Sequence, residues 1–140
     1  MRAIARNISI LLLLGALPIF PAEPADAIAD LASALSQNNS VAALQVFDSK
    51  MPRYSTIESD IEALVAQTDV LCAIDVVEEK EVPGGREFDV DWYMDLKSQL
   101  PNGPSERRRE RIILKFELIR GKWKIVAISS PKILAPITIH

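Results

Sequence analysis

The sequence predicts an α+β domain: three N-terminal helices packed on one face of a curved four-stranded antiparallel sheet. Two observations predict it. Apolar residues recur at helical spacing as far as Val65, and from Asp69 the period changes to alternation or β-rich runs separated by turn residues. The clearest run, Arg86 to Lys97, puts Phe88, Val90, Trp92, Met94 and Leu96 on one strand face and Glu87, Asp89, Asp91, Tyr93, Asp95 and Lys97 on the other. Burying each such apolar side chain is worth roughly 1.5–3 kcal/mol, against about 0–1 for an exposed ion pair. The apolar set therefore turns inward and the acids look out.

The chain begins with what reads as an address. Arg2 and Arg6 precede an almost wholly apolar run from Ile8 to Phe20, broken by Pro18 and Pro21. As a helix this run rises about 20 Å, short of the roughly 30 Å hydrocarbon core, which favours a cleaved signal peptide over a membrane anchor. Ala25 and Ala27 supply an A-x-A cleavage pattern, and cleavage after Ala22 matches less well. No cysteine follows the run, which argues against a lipid anchor. The expected organisation is a signal peptide over 1–27, a folded domain over 28–130 and a C-terminal tail over 131–140, in a periplasmic or secreted protein that is off the membrane once mature.

Removing residues 1–27 takes away Arg2, Arg6, Glu23 and Asp26, so the net charge stays at −3. This mild acidity argues against a nucleic-acid or anionic-membrane partner. The one basic cluster, Arg107 to Arg111, is split by alternation across both strand faces. Cys72 is the only cysteine, which leaves it no intrachain disulfide partner. It shares parity with Val70, Ile74 and Val76, so a buried thiol is expected.

The first helix is expected from Asp26 to Asn38 on the stripe Ile28, Leu31, Ala32 and Leu35. A second follows with Ser40 as N-cap and Val41, Leu44, Phe47 and Met51 as its stripe, stopped by Pro52. A third opens on the capping box Ser55 to Glu58 and buries Ile57, Ile61, Leu64 and Val65. Strands are expected near 69–81, 86–98, 107–119 and 122–130. Turns fall at Pro83 to Gly85, Pro101 to Pro104, and Arg120 with Gly121. A three-residue first turn sets Val76 against Trp92 and Ile74 against Met94. A two-residue last turn sets Leu118, Phe116 and Leu114 against Trp123, Ile125 and Ala127. Phe88 is expected opposite Phe116, which brings Asp89 to Lys115 and Asp95 to Arg109, and a slip of two residues still pairs Asp91 with Lys115 and Asp95 with Arg111.

Four segments carry a family resemblance: A-D-A-I-A-D-L-A-S-A-L, A-A-L-Q-V-F-D-S-K-M-P, E-F-D-V-D-W-Y-M-D-L and R-I-I-L-K-F-E-L-I-R-G-K-W-K-I-V-A-I. In this order the chain resembles the nuclear transport factor 2-like superfamily, also called ketosteroid isomerase-like or SnoaL-like, and its exported bacterial members most. The resemblance implies a cone-shaped, cystatin-like roll around a pocket. It also implies a homodimer through the outer sheet face, where Leu71, Ala73, Val77, Tyr93, Ile113, Val126 and Ile128 carry outward parity. Scattered surface apolars, or cover from the tail Ile133 to Ile139, are the alternatives for that face.

Enzymes of the superfamily place carboxylates, Tyr or His toward the pocket. Here the inner face is apolar throughout, and inward parity offers only Glu78, Arg108 and Glu110, near strand ends. Asp89-x-Asp91 supplies too few ligands for a hard cation. The single histidine is the terminal His140, which argues against a Ser-His-Asp or Cys-His arrangement. The leading expectation is a non-catalytic exported domain, without cofactor or metal, that binds a small apolar ligand or a protein partner. A ligand pocket is expected at Phe88, Trp92, Met94 and Phe116, with Glu110 at a strand end and Tyr54 at the mouth between helices, unless bulky side chains fill it, in which case a structural or protein-interaction role is favoured. The alternative is a lyase, isomerase or hydrolase of the ketosteroid isomerase type acting on a small hydrophobic substrate.

Overall fold

The change of period at residue 69 marks the start of four consecutive antiparallel strands, paired in chain order: β1 (Thr68–Val82), β2 (Gly85–Ser98), β3 (Ser105–Ile119) and β4 (Lys122–Ile128). Helices α1 (Pro24–Ser36), α2 (Ser40–Leu44) and α3 (Tyr54–Gln67) precede them, and a 3-10 turn at Pro131–Leu134 follows. This computed structural model describes residues 23–138. The expected signal segment lies outside them, save for residues 23–27.

Those five residues form the cap and first turn of α1. Proline suits the first turn, where no backbone donor is required of it, and Asp26 accepts the Glu23 N–H at 3.2 Å. The buried stripe is Ile28, Leu31, Ala34 and Leu35. Helix α2 is shorter than expected, and its N-cap is Asn39 rather than Ser40, with Asn39 Oδ1 accepting the Ala42 N–H at 3.0 Å. The chain then leaves the helix to bond with the edge of β4. Ile125 N–H donates to Val46 O at 2.8 Å, and Asp48 N–H to Ile125 O at 2.9 Å. Leu44, Phe47 and Met51 are buried as expected, but Val41, in the first turn of α2, is 67% exposed. Arg53 adopts φ +66 and caps α3 at Tyr54, so the helix starts one residue before Ser55 and the Ser55–Glu58 box is not its cap.

Parity in the centre of the sheet is as expected. Phe88, Val90, Trp92, Met94, Leu96, Ile112, Leu114 and Phe116 are all fully buried under the helices. The registers differ in detail, each for a local reason. The β1–β2 turn has two residues, Pro83 and Gly84, with Gly84 at φ +81 as the second central position of a Pro-Gly turn demands. Alone, this turn would bring Asp75 opposite Trp92. A bulge at Val77 adds one residue and restores the match, so Ile74 faces Trp92 and Cys72 faces Met94.

Between β2 and β3 the register is displaced by two residues, with Phe88 opposite Leu114 and Arg86 opposite Phe116. Gly85 permits this approach, because a Cβ there would lie 2.0 Å from the Phe116 carbonyl oxygen. The last hairpin turns on Arg120 and Gly121, both at positive φ, and pairs Leu118 with Trp123 and Phe116 with Ile125 as expected. A second bulge, at Val126, then shifts Leu114 from the expected Ala127 to Ile128 and turns Ile128 toward the core. The tail also packs inward, burying Ile133, Leu134 and Ile137 instead of covering the outer face. Arg108 draws it there, donating to the carbonyl oxygens of Ile133 at 2.8 Å and of Ala135.

Candidate functional site

The apolar strand interior is solid where a ligand was expected. Phe88, Trp92, Met94 and Phe116 come together on the inner face, with the Phe88 and Phe116 rings edge to face at 5.5 Å between centroids. All four are 0% exposed, so no water-sized space touches any of them. Beside them Cys72 is buried, and its thiol pKa is pushed up to about 12 by burial, opposed by the neighbouring Trp92 indole. The indole nitrogen itself makes no hydrogen bond of normal geometry.

The titratable groups with inward parity do not reach this interior. The bulge at Val77 turns Glu78 to the outer face, opposite Asp89, and brings Glu79 to inward parity near the turn of the hairpin, where it accepts from Arg86. Glu110 stands opposite Trp92 in the register, but it borders a shallow groove of about 540 Å³ against the tail, beside Arg108, Ile133 and Pro136. Arg108 is committed to the tail carbonyls and to Glu106, its Nε 2.6 Å from Glu106 Oε2.

Tyr54 lies elsewhere, at the start of α3 in a surface groove of about 790 Å³. Leu44 and Phe47 contribute its apolar lining. Glu58 and Glu62 follow Tyr54 along one wall, and Lys50, Arg120, Lys122 and Lys124 also line the groove. Burial, then Glu58 and Glu62, raise the Tyr54 pKa, which keeps the phenol a protonated donor at neutral pH and a poor general base. Burial and Lys122 lower the Lys124 pKa, while its ammonium is engaged by the Gln45 carbonyl oxygen. A second groove of about 820 Å³ lies on the other side of α2, against α1 and the half-buried Trp123. Sequence reasoning found Tyr54 but missed the cations opposite it. Lys122 and Lys124 flank Trp123 at alternate positions, which marks them as strand residues and gives no hint of a groove.

On the outer face Asp89 and Asp91 are paired. Arg109 binds Asp91 and Arg111 binds Asp89, each through two nitrogens, with Nη2 at 2.7 Å in both cases. Both oxygens of each carboxylate are occupied by a guanidinium, which leaves Asp89-x-Asp91 ill suited to hold a cation.

No family model matches the sequence, and no curated protein matches it. Solved structures do match. A conserved protein from Planctomyces limnophilus superposes with a TM-score of 0.66 at 8% identity, covering 74% of this chain and 88% of that one. A nuclear transport factor 2-like superfamily protein from Salmonella enterica serovar Typhimurium superposes with a TM-score of 0.58 at 14% identity, covering 82% and 89%. The chain has the nuclear transport factor 2-like fold. At these identities the likeness concerns architecture alone. Within the nuclear transport factor 2-like frame, helices and sheet meet over packed side chains, and open grooves lie around α2 and along the tail.

Proposed function

We propose that the chain is an exported, non-catalytic nuclear transport factor 2-like domain that binds a protein partner through its surface. The observation that carries this reading is the solid interior, in which Phe88, Trp92, Met94 and Phe116 leave no water-sized space and carry no titratable group. A small apolar ligand would have to displace these side chains at the cost of core packing. A ketosteroid isomerase-type enzyme needs an acid or base beside a substrate cavity. Glu78 faces outward, Glu110 faces the tail, and Tyr54 is held further from neutrality in an open groove. Export rests on the basic start, the apolar run and the alanines of the N-terminal sequence.

The test is native mass spectrometry of the protein purified from its own host. The bare mass of the processed chain is expected. A stoichiometric lipophilic molecule carried through purification would overturn the reading and restore the ligand-binding one.

The outer sheet face suggests a second copy as one partner, because Leu71, Val77 and Ile113 stand 59%, 52% and 38% exposed there. Light scattering at high micromolar concentration tests it, and a monomer removes the homodimer.

A further inference from the structure

The two edges of the sheet are finished differently. The edge of β4 is occupied by Val46 to Asp48 through backbone bonds to Ile125. The edge of β1 is occupied over its first third only, by two side chains from the end of α1. Ser36 Oγ accepts the Cys72 N–H at 2.9 Å and donates to the Cys72 carbonyl oxygen at 3.2 Å. Asn38 Oδ1 accepts the Val70 N–H at 3.1 Å, while its Nδ2 donates to the Thr68 carbonyl oxygen at 2.5 Å. In an antiparallel strand alternate residues turn both backbone groups to the same side, so Thr68, Val70 and Cys72 face the edge, and Ile74 and Val76 continue the series. Among the described residues, nothing outside the sheet bonds to the backbone from Ile74 to Val82.

We propose that this open stretch of β1 takes up a basic extended segment of a partner protein as an added strand. Backbone pairing supplies the attachment, and the exposed Val76 and Val77 supply apolar contact. Charge chooses the partner. Glu79 and Glu81 already share Arg86, which leaves Asp75 and Glu78 as the acids of the stretch without a salt bridge among the described residues. A second copy is disfavoured, because pairing β1 with itself about Val77 sets Asp75 against Glu79. The acids that guard this edge against its own kind thus leave it open to a basic strand.

This inference rests on the surface-binding reading above, and the two fail separately: a retained lipophile sinks that reading and leaves the edge untouched. The probes are two acetylated octapeptides, one alternating lysine with valine and one alternating glutamate with valine, each titrated into the intact protein. The lysine peptide is expected to slow amide hydrogen exchange at Ile74 and Val76 at least tenfold, with affinity falling as salt is raised, and the glutamate peptide to leave both unchanged. Val76→Pro removes an N–H that faces only the edge, so the fold is expected to survive and the protection at Ile74 to vanish. Asp75→Lys with Glu78→Lys is expected to reverse the peptide preference, and it decides the matter if the proline variant does not fold. Equal protection by both peptides, protection by neither, or undiminished binding to Val76→Pro would overturn the inference. So would protection of the same amides by self-association alone.

Discussion

Arg109 forks onto Asp91, its Nε 3.1 Å and its Nη2 2.7 Å from the two carboxylate oxygens, although the residue directly across the ladder from Arg109 is Tyr93. The contact is diagonal, and Arg111 repeats it on Asp89 one step along. The acids of β2 thus act as cross-strand ties between neighbouring strands of the sheet.

The ties are expected to show in titration. Hydrogen bonding and charge from Arg111 and Arg109 hold the Asp89 and Asp91 carboxyls below the usual carboxylate range. A depressed folded pKa means the stabilisation is present above the unfolded value near 3.9 and is lost as pH falls through the lower folded value. Carboxyl-detected NMR should find both aspartates low, and Arg109→Gln should return Asp91 toward its ordinary value while Asp89 stays low. Ordinary values for both in the native chain would mean the forks do not persist in solution.

Trp92 and Phe116 set the scale of the core. Both are fully buried, so Trp92→Ala and Phe116→Ala are each expected to cost about 3–5 kcal/mol in urea unfolding, read through the remaining fluorescence of Trp123. Trp92→Phe should cost less, because it removes far less buried volume. A loss below about 1 kcal/mol for either alanine variant would reveal slack in the interior and favour a ligand there.

Cys72 should be inert and should weaken the fold in alkali. With its pKa at about 12, the native thiol is protonated at neutral pH, and thiol reagents should react only on unfolding. A raised folded pKa stabilises fully below the unfolded value near 8.5, and that stabilisation is lost as pH rises from there to about 12. Comparing wild type with Cys72→Val isolates the slope. Parallel stability curves from pH 8 to 11 would contradict it.

Arg108 should act as the peg of the tail. Its side chain is 14% exposed and bonds to the Ile133 and Ala135 carbonyl oxygens. Arg108→Ala is expected to cost about 1.5–3 kcal/mol and to expose residues 131–138 to protease. A variant with wild-type stability and protease resistance would assign the docking to Leu134 and Ile137 alone.

The sheet was legible in the sequence wherever alternation ran without interruption. Phe88 to Leu96 declare their inward side, and the Arg120–Gly121 turn declares its register, because each local choice agrees with burial. The two bulges were hidden for the opposite reason. Val77 follows Val76, and Val126 follows Ile125, so the extra residue looks like more strand. The tail showed its apolar residues but not their destination, which Arg108 decides from more than twenty positions upstream. For the site, Tyr54 was found by its place between helices. The grooves around α2 were not, since they exist only because the helix ends at Leu44 and the chain turns to meet Ile125.

The pairing of a short turn at Pro83–Gly84 with an extra residue at Val77 also constrains how related chains can diverge. Deleting Val77 leaves Glu78 opposite Asp89 and Val76 opposite Val90, so the strand loses its kink and keeps its inner face. Among homologues with the two-residue turn, position 77 should therefore be either present as a bulge or deleted outright, with Asp75 outside in both.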